Sequence, residues 1–140
     1  MRKIAVVYWS GTGNTEAMAN AVAEGAGNAG AQVSLFTAAE FSASMMEDFD
    51  AIAFGCPSMG AEQLEESEFE PMFSDCESKL SGKTIALFGS SGWGDGEWMR
   101  NWEDTCRNAD ANLACDSVIC LEAPDNDGEA DCRSLGAALA

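Results

Sequence analysis

Five short apolar segments alternate along the chain with longer segments of helical pattern, and this alternation limits the folds that the sequence can adopt. The first, Ile4-Ala5-Val6-Val7-Tyr8, is an unbroken apolar run, as expected of a strand buried on both faces of a sheet. The expected strands are 4–8, 33–36, 51–54, 84–88 and 113–121, and the expected helices are 14–28, 68–80, 97–108 and 128–139, with a weak helix or loop at 41–48. Because parallel strands need crossover connections, the pattern predicts an α/β fold with a doubly wound parallel sheet.

The composition predicts one globular domain over residues 1–140. The chain is 46% hydrophobic and 22% charged, which is typical of globular proteins and unlike disordered ones. No linker rich in Pro, Gly or Ser divides the sequence, and no internal repeat is evident.

The charge of the chain excludes several classes of function. There are 24 acidic residues against 7 basic ones and no histidine, for a formal net charge of −17. Residues 1–41 hold three acids and two bases, a net charge of −1, whereas residues 42–140 hold twenty-one acids and five bases, a net charge of −16. Nucleic acids and anionic membranes both attract clustered Lys and Arg, so neither is an expected partner. Without histidine, the usual general base and the commonest zinc ligand are missing.

The six cysteines favour a cytoplasmic protein with reduced thiols. They are scattered and form no C-x-x-C pair, and without histidine they make a poor set of metal ligands. The basic start Met1-Arg2-Lys3 is followed by an apolar run of strand length only, which is unlike a secretory signal. No apolar stretch approaches the roughly 18–20 residues of a membrane span.

The loop after the first expected strand, Ser10-Gly11-Thr12-Gly13-Asn14-Thr15, runs directly into a helix. Its glycines allow close approach of the backbone to a ligand, and its hydroxyls and the N–H groups of the helix start can bind a phosphate. The loop contains no Lys or Arg, so such a phosphate would be held by hydrogen bonds and the helix dipole. The alternative is an N-capped helix with a tight turn and no ligand.

Two other phosphate motifs do not match. A dinucleotide-binding fingerprint needs a third glycine where the chain has Glu16. Gly82-Lys83-Thr84 is not a Walker motif, because Glu77 occupies the first glycine position and a strand follows the segment.

Two further loops follow the third and fourth expected strands. They read Gly55-Cys56-Pro57-Ser58-Met59-Gly60-Ala61-Glu62 and Gly89-Ser90-Ser91-Gly92-Trp93-Gly94-Asp95-Gly96. Each presents a large side chain next to glycine, Met59 and Trp93, which could pack on the two faces of a flat ring or fill space beneath a loop. Ligands of doubly wound sheets bind at the carboxyl ends of the strands, where all three loops lie.

These three loops in this order resemble the short-chain flavodoxins of the clostridial and Megasphaera type, and the resemblance spans essentially the whole chain. It implies a flavodoxin-like five-stranded parallel sheet of order 2-1-3-4-5 between two layers of helices. It also implies an electron carrier with non-covalent FMN and no substrate turnover of its own.

The resemblance implies a role for each loop. The loop Ser10–Thr15, with Ser58, would hold the FMN phosphate; Met59 and Trp93 would pack on the inner and outer faces of the isoalloxazine. Glu62 would bind the ring N3–H, and the Gly60 carbonyl would turn toward N5 when the semiquinone forms. The expected cofactor-binding residues are Ser10, Gly11, Thr12, Gly13, Asn14, Thr15, Ser58, Met59, Gly60, Glu62, Ser90, Gly92, Trp93 and Gly94.

The acidity predicts a low-potential carrier that shuttles between semiquinone and hydroquinone, because added negative charge on the flavin is disfavoured beside carboxylates. The acidic run from Glu62 to Glu70 would dock cationic redox partner proteins, and the protein is expected to be a monomer. A small FMN-dependent reductase is the nearest alternative. A phospho-acceptor regulator of the same fold would need acids at Trp9-Ser10 and Gly55-Cys56.

Overall fold

A computed structural model of the chain describes residues 2–59, 63–92 and 96–140. The strands in these residues are β1 Lys3–Tyr8, β2 Gln32–Thr37, β3 Ala51–Gly55, β4 Thr84–Ser91, β5 Asn112–Leu113 and β6 Val118–Leu121. The helices are α1 Asn14–Asn28, α2 Phe69–Glu77, α3 Glu97–Asn108 and α4 Asn126–Leu139, with 3₁₀ turns at Ala38–Glu40 and Ala43–Asp48.

The strands form one parallel sheet in the order β2-β1-β3-β4-β5, which confirms the predicted fold and strand order. The predicted fifth strand, 113–121, is wrong as one continuous element. Its first part, β5, pairs with the start of β4, and after a gap β6 pairs with the end of β4. Because β6 supplies a hydrogen-bonding partner for residues 88–91, Gly89, Ser90 and Ser91 belong to strand β4 and not to the loop predicted there.

Side chains of alternate residues in β1 enter two cores, one on each face of the sheet. Ala5 and Val7 pack on the side of α2 and α3, whereas Ile4 and Val6 pack on the side of α1 and α4. The four positions are fully buried, which is why this strand has no polar residue between its ends. On the first side, Trp98 and Trp102 of α3 are both buried, as expected from their spacing of four on one helix.

Helices α1 and α4 approach each other through two glycines. A Cβ atom on Gly25 would lie 1.9 Å from the backbone oxygen of Arg133, and one on Gly136 would lie 2.0 Å from that of Val22. The absent side chains therefore let the two backbones touch, and they set the distance between the two helices on this face of the sheet.

Over the described part of the chain, no helix combines the length and the apolar character that a bilayer crossing requires. All six cysteines are free thiols. The residues that the structure describes bring together no group of three or more Cys, Asp or Glu able to hold a metal ion.

Candidate functional site

The loops that follow β1, β3 and β4 meet at one cleft at the carboxyl edge of the sheet. The cleft has a volume of about 290 Å³. It is lined by Trp9, Gly11, Thr12, Asn14, Pro57, Ser58, Met59, Ser90, Gly92 and Glu122. Three loops that are far apart in sequence thus contribute to one concave surface, as expected at the end of a doubly wound parallel sheet.

The structure places the predicted site residues in three groups. Seven of them line the cleft: Gly11, Thr12, Asn14, Ser58, Met59, Ser90 and Gly92. Ser10 and Gly13 line a neighbouring depression of about 420 Å³, and Thr15 is buried in the first turn of α1. Gly60, Glu62, Trp93 and Gly94 lie outside the described residues.

Three residues that line the cleft, Trp9, Pro57 and Glu122, are not among the predicted site residues. Trp9 comes directly before the first loop, and this position is the only sign of its role in the sequence. Glu122 follows β6 with a φ of 56°, in the left-handed region that non-glycine residues seldom occupy. Its backbone oxygen accepts a hydrogen bond from the Ser90 hydroxyl at 2.8 Å. The pairing of β6 with β4 brings it to the site.

The first loop turns at Gly13, in a backbone conformation that only a residue without a side chain adopts easily. Gly13, the N-cap of α1, has a φ of 94°, and its N–H donates to the Ser10 hydroxyl oxygen at 3.0 Å. The Asn14 N–H is 3.5 Å from the Thr12 hydroxyl oxygen. Since both hydroxyl oxygens already accept from the backbone, their own protons stay available to a ligand at the start of the helix.

Thr15 tests whether this loop suits the phosphate of FMN. Its side chain is 1% exposed, and its hydroxyl has no hydrogen-bond partner within the described protein. A buried hydroxyl without a partner costs about 1–3 kcal/mol, so such groups are uncommon without a ligand to satisfy them. A phosphate oxygen is a suitable acceptor, and the N-terminus of α1 favours its negative charge. The residues present therefore fit the phosphate group.

The second loop is closed by a short antiparallel bridge. Met59 and Gln63 exchange two backbone hydrogen bonds, with N···O distances of 2.8 and 3.0 Å. This bridge joins the two residues that flank the segment 60–62. In addition, the Ser58 N–H donates to the Ser90 backbone oxygen at 3.0 Å, which ties the second loop to the end of β4.

A buried contact between Cys56 and Glu65 holds the second loop in place. The Cys56 thiol is fully buried, and its sulfur accepts a hydrogen bond from the Glu65 N–H at 3.4 Å. Burial raises the pKa of Cys56 to about 12, so the thiol stays protonated and is not suited to nucleophilic chemistry. Its role is to hold the loop.

The Glu65 side chain is 6% exposed although it lies within the acidic run that the sequence marks as surface. Its carboxylate accepts from the N–H groups of Ser67, Glu68 and Phe69 at 2.9, 2.8 and 3.0 Å, and also from the Ser67 hydroxyl. Burial by itself raises the pKa of Glu65, but these hydrogen bonds outweigh it and hold the pKa at about 2. The carboxylate thus stays charged and fixes the start of α2.

Comparison with known proteins gives a consistent result over nearly the whole length. The sequence profile of the Flavodoxin family matches residues 6–136. A flavodoxin of Megasphaera elsdenii is 44% identical over 137 residues, which cover 98% of each chain. A flavodoxin of Clostridium beijerinckii is 42% identical over 135 residues, which cover 96% of this chain and 97% of the relative.

Solved structures agree. The solution structure of two-electron reduced Megasphaera elsdenii flavodoxin matches with a TM-score of 0.90 at 44% identity, and the match covers 97% of each chain. A flavodoxin from the domain Archaea, at 24% identity and a TM-score of 0.84, shares the fold. The chain therefore belongs to the flavodoxin family and is an FMN-binding electron-transfer protein, not an enzyme, that exchanges electrons with redox partner proteins.

Proposed function

We propose that the cleft between the three loops is the FMN site and that the chain uses it as a low-potential one-electron carrier. The observation that carries the assignment is the buried hydroxyl of Thr15, which has no partner within the described protein and lies in the first turn of α1. When bound, FMN supplies the one-electron chemistry, and the protein supplies binding, orientation and electrostatics.

Each loop then has its own task. The loop Ser10–Thr15 and Ser58 bind the phosphate, and Met59 on the cleft wall packs against one face of the ring. Resemblance to the family assigns the other ring contacts: Trp93 on the outer face, Glu62 at the ring N3–H, and the Gly60 carbonyl at N5. Backbone N–H groups between Ser90 and Gly94 contact the pyrimidine edge. The bridge between Met59 and Gln63, on either side of residues 60–62, is consistent with these assignments.

Replacing Thr15 by valine tests the phosphate site. Valine has the shape of threonine but no hydroxyl, so we expect FMN affinity to fall by about 10- to 100-fold, as for loss of one hydrogen bond to a charged group. Riboflavin lacks the phosphate, and its affinity is expected to stay the same. The FMN-free variant is expected to be at least as stable as the wild type, because a buried hydroxyl without a partner is removed.

Quenching of flavin fluorescence measures both affinities, and the matched control is Thr15→Ser, which keeps the hydroxyl. Equal losses of FMN and riboflavin affinity in Thr15→Val would show that Thr15 does not contact the phosphate.

The low potential follows from the distribution of charge. No Lys or Arg occurs between Lys3 and Lys79, so the first and second loops contain no cation. Glu66, Glu68 and Glu70 are exposed on the segment that follows the second loop. A second electron adds negative charge close to these carboxylates, which makes full reduction less favourable.

The same carboxylates support docking of partners with basic surfaces. A like charge of −17 on every copy opposes self-association, so we propose a monomer. The six free thiols favour a cytoplasmic location.

Ionic strength tests the role of charge. We expect an anaerobic redox titration to separate two one-electron steps, with the second at a lower potential than in free FMN. Added salt screens the carboxylates, so it is expected to raise the second potential and to slow electron transfer to a basic partner protein. A single two-electron step would contradict the proposal of a one-electron carrier. If neither the second potential nor the rate of electron transfer changed with salt, the proposed effect of the carboxylates would be contradicted.

A further inference from the structure

Trp9 stands between the cleft and the neighbouring depression and lines both. Its backbone N–H donates to the Gly55 oxygen at 3.0 Å, so the residue continues the pairing of β1 with β3. Its six-membered ring lies against the phosphate-binding loop: a Cβ atom on Gly11 would come within 2.9 Å of Cη2 and 3.2 Å of Cζ3 of Trp9. A side chain at residue 11 would displace the indole, and any movement of the indole changes the support of the loop.

The Nε1 end of the indole is held by a residue at the start of α2. Trp9 Nε1 donates to the Glu68 carboxylate oxygen at 3.0 Å, across 59 positions of sequence. Glu68 is the N-cap residue of α2, where its own backbone N–H donates to the Glu65 carboxylate at 2.8 Å. The acceptor of the indole N–H is therefore placed by a buried carboxylate that binds three backbone N–H groups.

The segment that carries Glu68 is fixed independently of the first loop. Glu65 is tied to Cys56 by its backbone N–H, and its backbone oxygen accepts from the Glu70 N–H at 2.8 Å. Glu68 can thus act as a fixed point, whereas the loop between β1 and α1 contains two glycines and is held at residue 13 by a left-handed N-cap. Gly11, which the indole approaches, lies between the two hydroxyl residues Ser10 and Thr12.

We infer that Trp9, anchored by the Glu68 carboxylate, is a positioning residue that holds the phosphate-binding loop ready for FMN and so sets the preference of the site for FMN over riboflavin. This rests on the proposed function, which assigns the loop to the phosphate. Trp9 acts on the loop through its contact with Gly11 and needs no contact with the phosphate itself. A loop already in the binding geometry loses less conformational entropy when the ligand arrives.

Two variants of equal charge separate the hydrogen bond from the carboxylate charge. Glu68→Ala removes the acceptor of the indole N–H, whereas Glu68→Gln keeps an acceptor oxygen. We expect Glu68→Ala to weaken FMN binding by about tenfold, because a loop that is no longer held in place has to be ordered when FMN binds, and Glu68→Gln to restore most of this affinity. Riboflavin affinity is expected to change by less than about twofold in both, since no phosphate contact is involved.

Trp9→Phe completes the test, because phenylalanine has no N–H and a shorter ring. The double variant Trp9→Phe/Glu68→Ala is expected to bind FMN no more weakly than Trp9→Phe alone, since both changes break one interaction. The indole N–H signal of Trp9 in NMR spectra of the FMN-free protein is expected to shift in Glu68→Ala and much less in Glu68→Gln. Glu70→Ala removes a charge from the same segment without touching Trp9, and it is expected to leave the ratio of FMN to riboflavin affinity unchanged.

Several results would overturn the inference. These are parallel losses of FMN and riboflavin affinity, a loss in Glu68→Gln as large as in Glu68→Ala, and additive effects in the double variant. Retained riboflavin binding shows that a variant is folded. If the wild-type chain does not prefer FMN over riboflavin, the proposed function fails. If the wild type prefers FMN and the variants show the same ratio of FMN to riboflavin affinity, the proposed function stands and only the role of Trp9 fails.

Discussion

Replacing Gly25 by alanine is expected to lower the free energy of unfolding by about 3 kcal/mol, at the upper end for insertion of one methyl group into a packed interior. The new Cβ atom would lie 1.9 Å from the backbone oxygen of Arg133 and 2.5 Å from its carbonyl carbon. The contact is with backbone and not with the end of a flexible side chain, so one helix has to move as a whole. Urea denaturation of the FMN-free protein measures the loss.

Gly27 provides the matched control, since it lies in the same helix and no atom beyond its own turns of helix backbone lies within 4 Å of the position of a Cβ. There, alanine is expected to raise the free energy of unfolding by about 0.5–1 kcal/mol, because it restricts the unfolded chain and favours the helix. Equal effects of Gly25→Ala and Gly27→Ala would contradict the close packing of α1 on α4.

The contrast between these two glycines shows what a single sequence can predict. The bounds of α1 and α3 are those predicted, because apolar residues at helical spacing and the flanking glycines are local signals. The parallel sheet follows from the rule on crossovers, whereas the strand order follows from the resemblance to the family alone. Which glycine of α1 touches α4 depends on how the two helices cross, and a local pattern does not contain that information.

The edge of the sheet shows the same limit. The residues from Leu113 to Leu121 were predicted as one strand because apolar residues occur at both ends. In the structure, β5 pairs only with Thr84 and Ile85, and the chain leaves the sheet before β6 returns to pair beside residues 88–91. Strand breaks of this kind depend on the partner strand, which lies about 30 positions away in sequence.

The candidate site divides in a similar way. Glycines and hydroxyls in the first loop point to a phosphate because their chemistry is local and specific. The supports of the site are long-range polar contacts, from Trp9 to Glu68 and from Glu65 to Cys56. In the sequence, Glu65 is one acid in an acidic run, and nothing distinguishes it from the exposed Glu66 beside it.

That buried carboxylate carries the second large effect. Replacing Glu65 by glutamine is expected to lower the free energy of unfolding by about 3 kcal/mol at pH 7. The reason is that the folded protein holds the pKa of Glu65 at about 2, whereas its ordinary value is 4.5. The folded-state pKa is the lower one, so the unfolded chain binds more protons between the two values. The contribution of the Glu65 carboxylate to the free energy of unfolding is therefore complete above about pH 4.5 and is lost as the pH falls through about 2.

The difference between wild type and Glu65→Gln should accordingly shrink as the pH is lowered from 4.5 toward 2, and urea denaturation at a series of pH values measures it. Glu66→Gln removes the same charge from an exposed neighbour and is expected to keep the steep acid dependence of the wild type. Stability curves that run parallel for wild type and Glu65→Gln would mean that the carboxylate charge of Glu65 does not stabilise the start of α2. Glu65 also positions Glu68, whose carboxylate accepts the indole N–H of Trp9. Loss of the Glu65 charge is therefore expected to weaken the support of the phosphate-binding loop. At pH 7, where the fold is retained, FMN affinity is expected to fall more than riboflavin affinity.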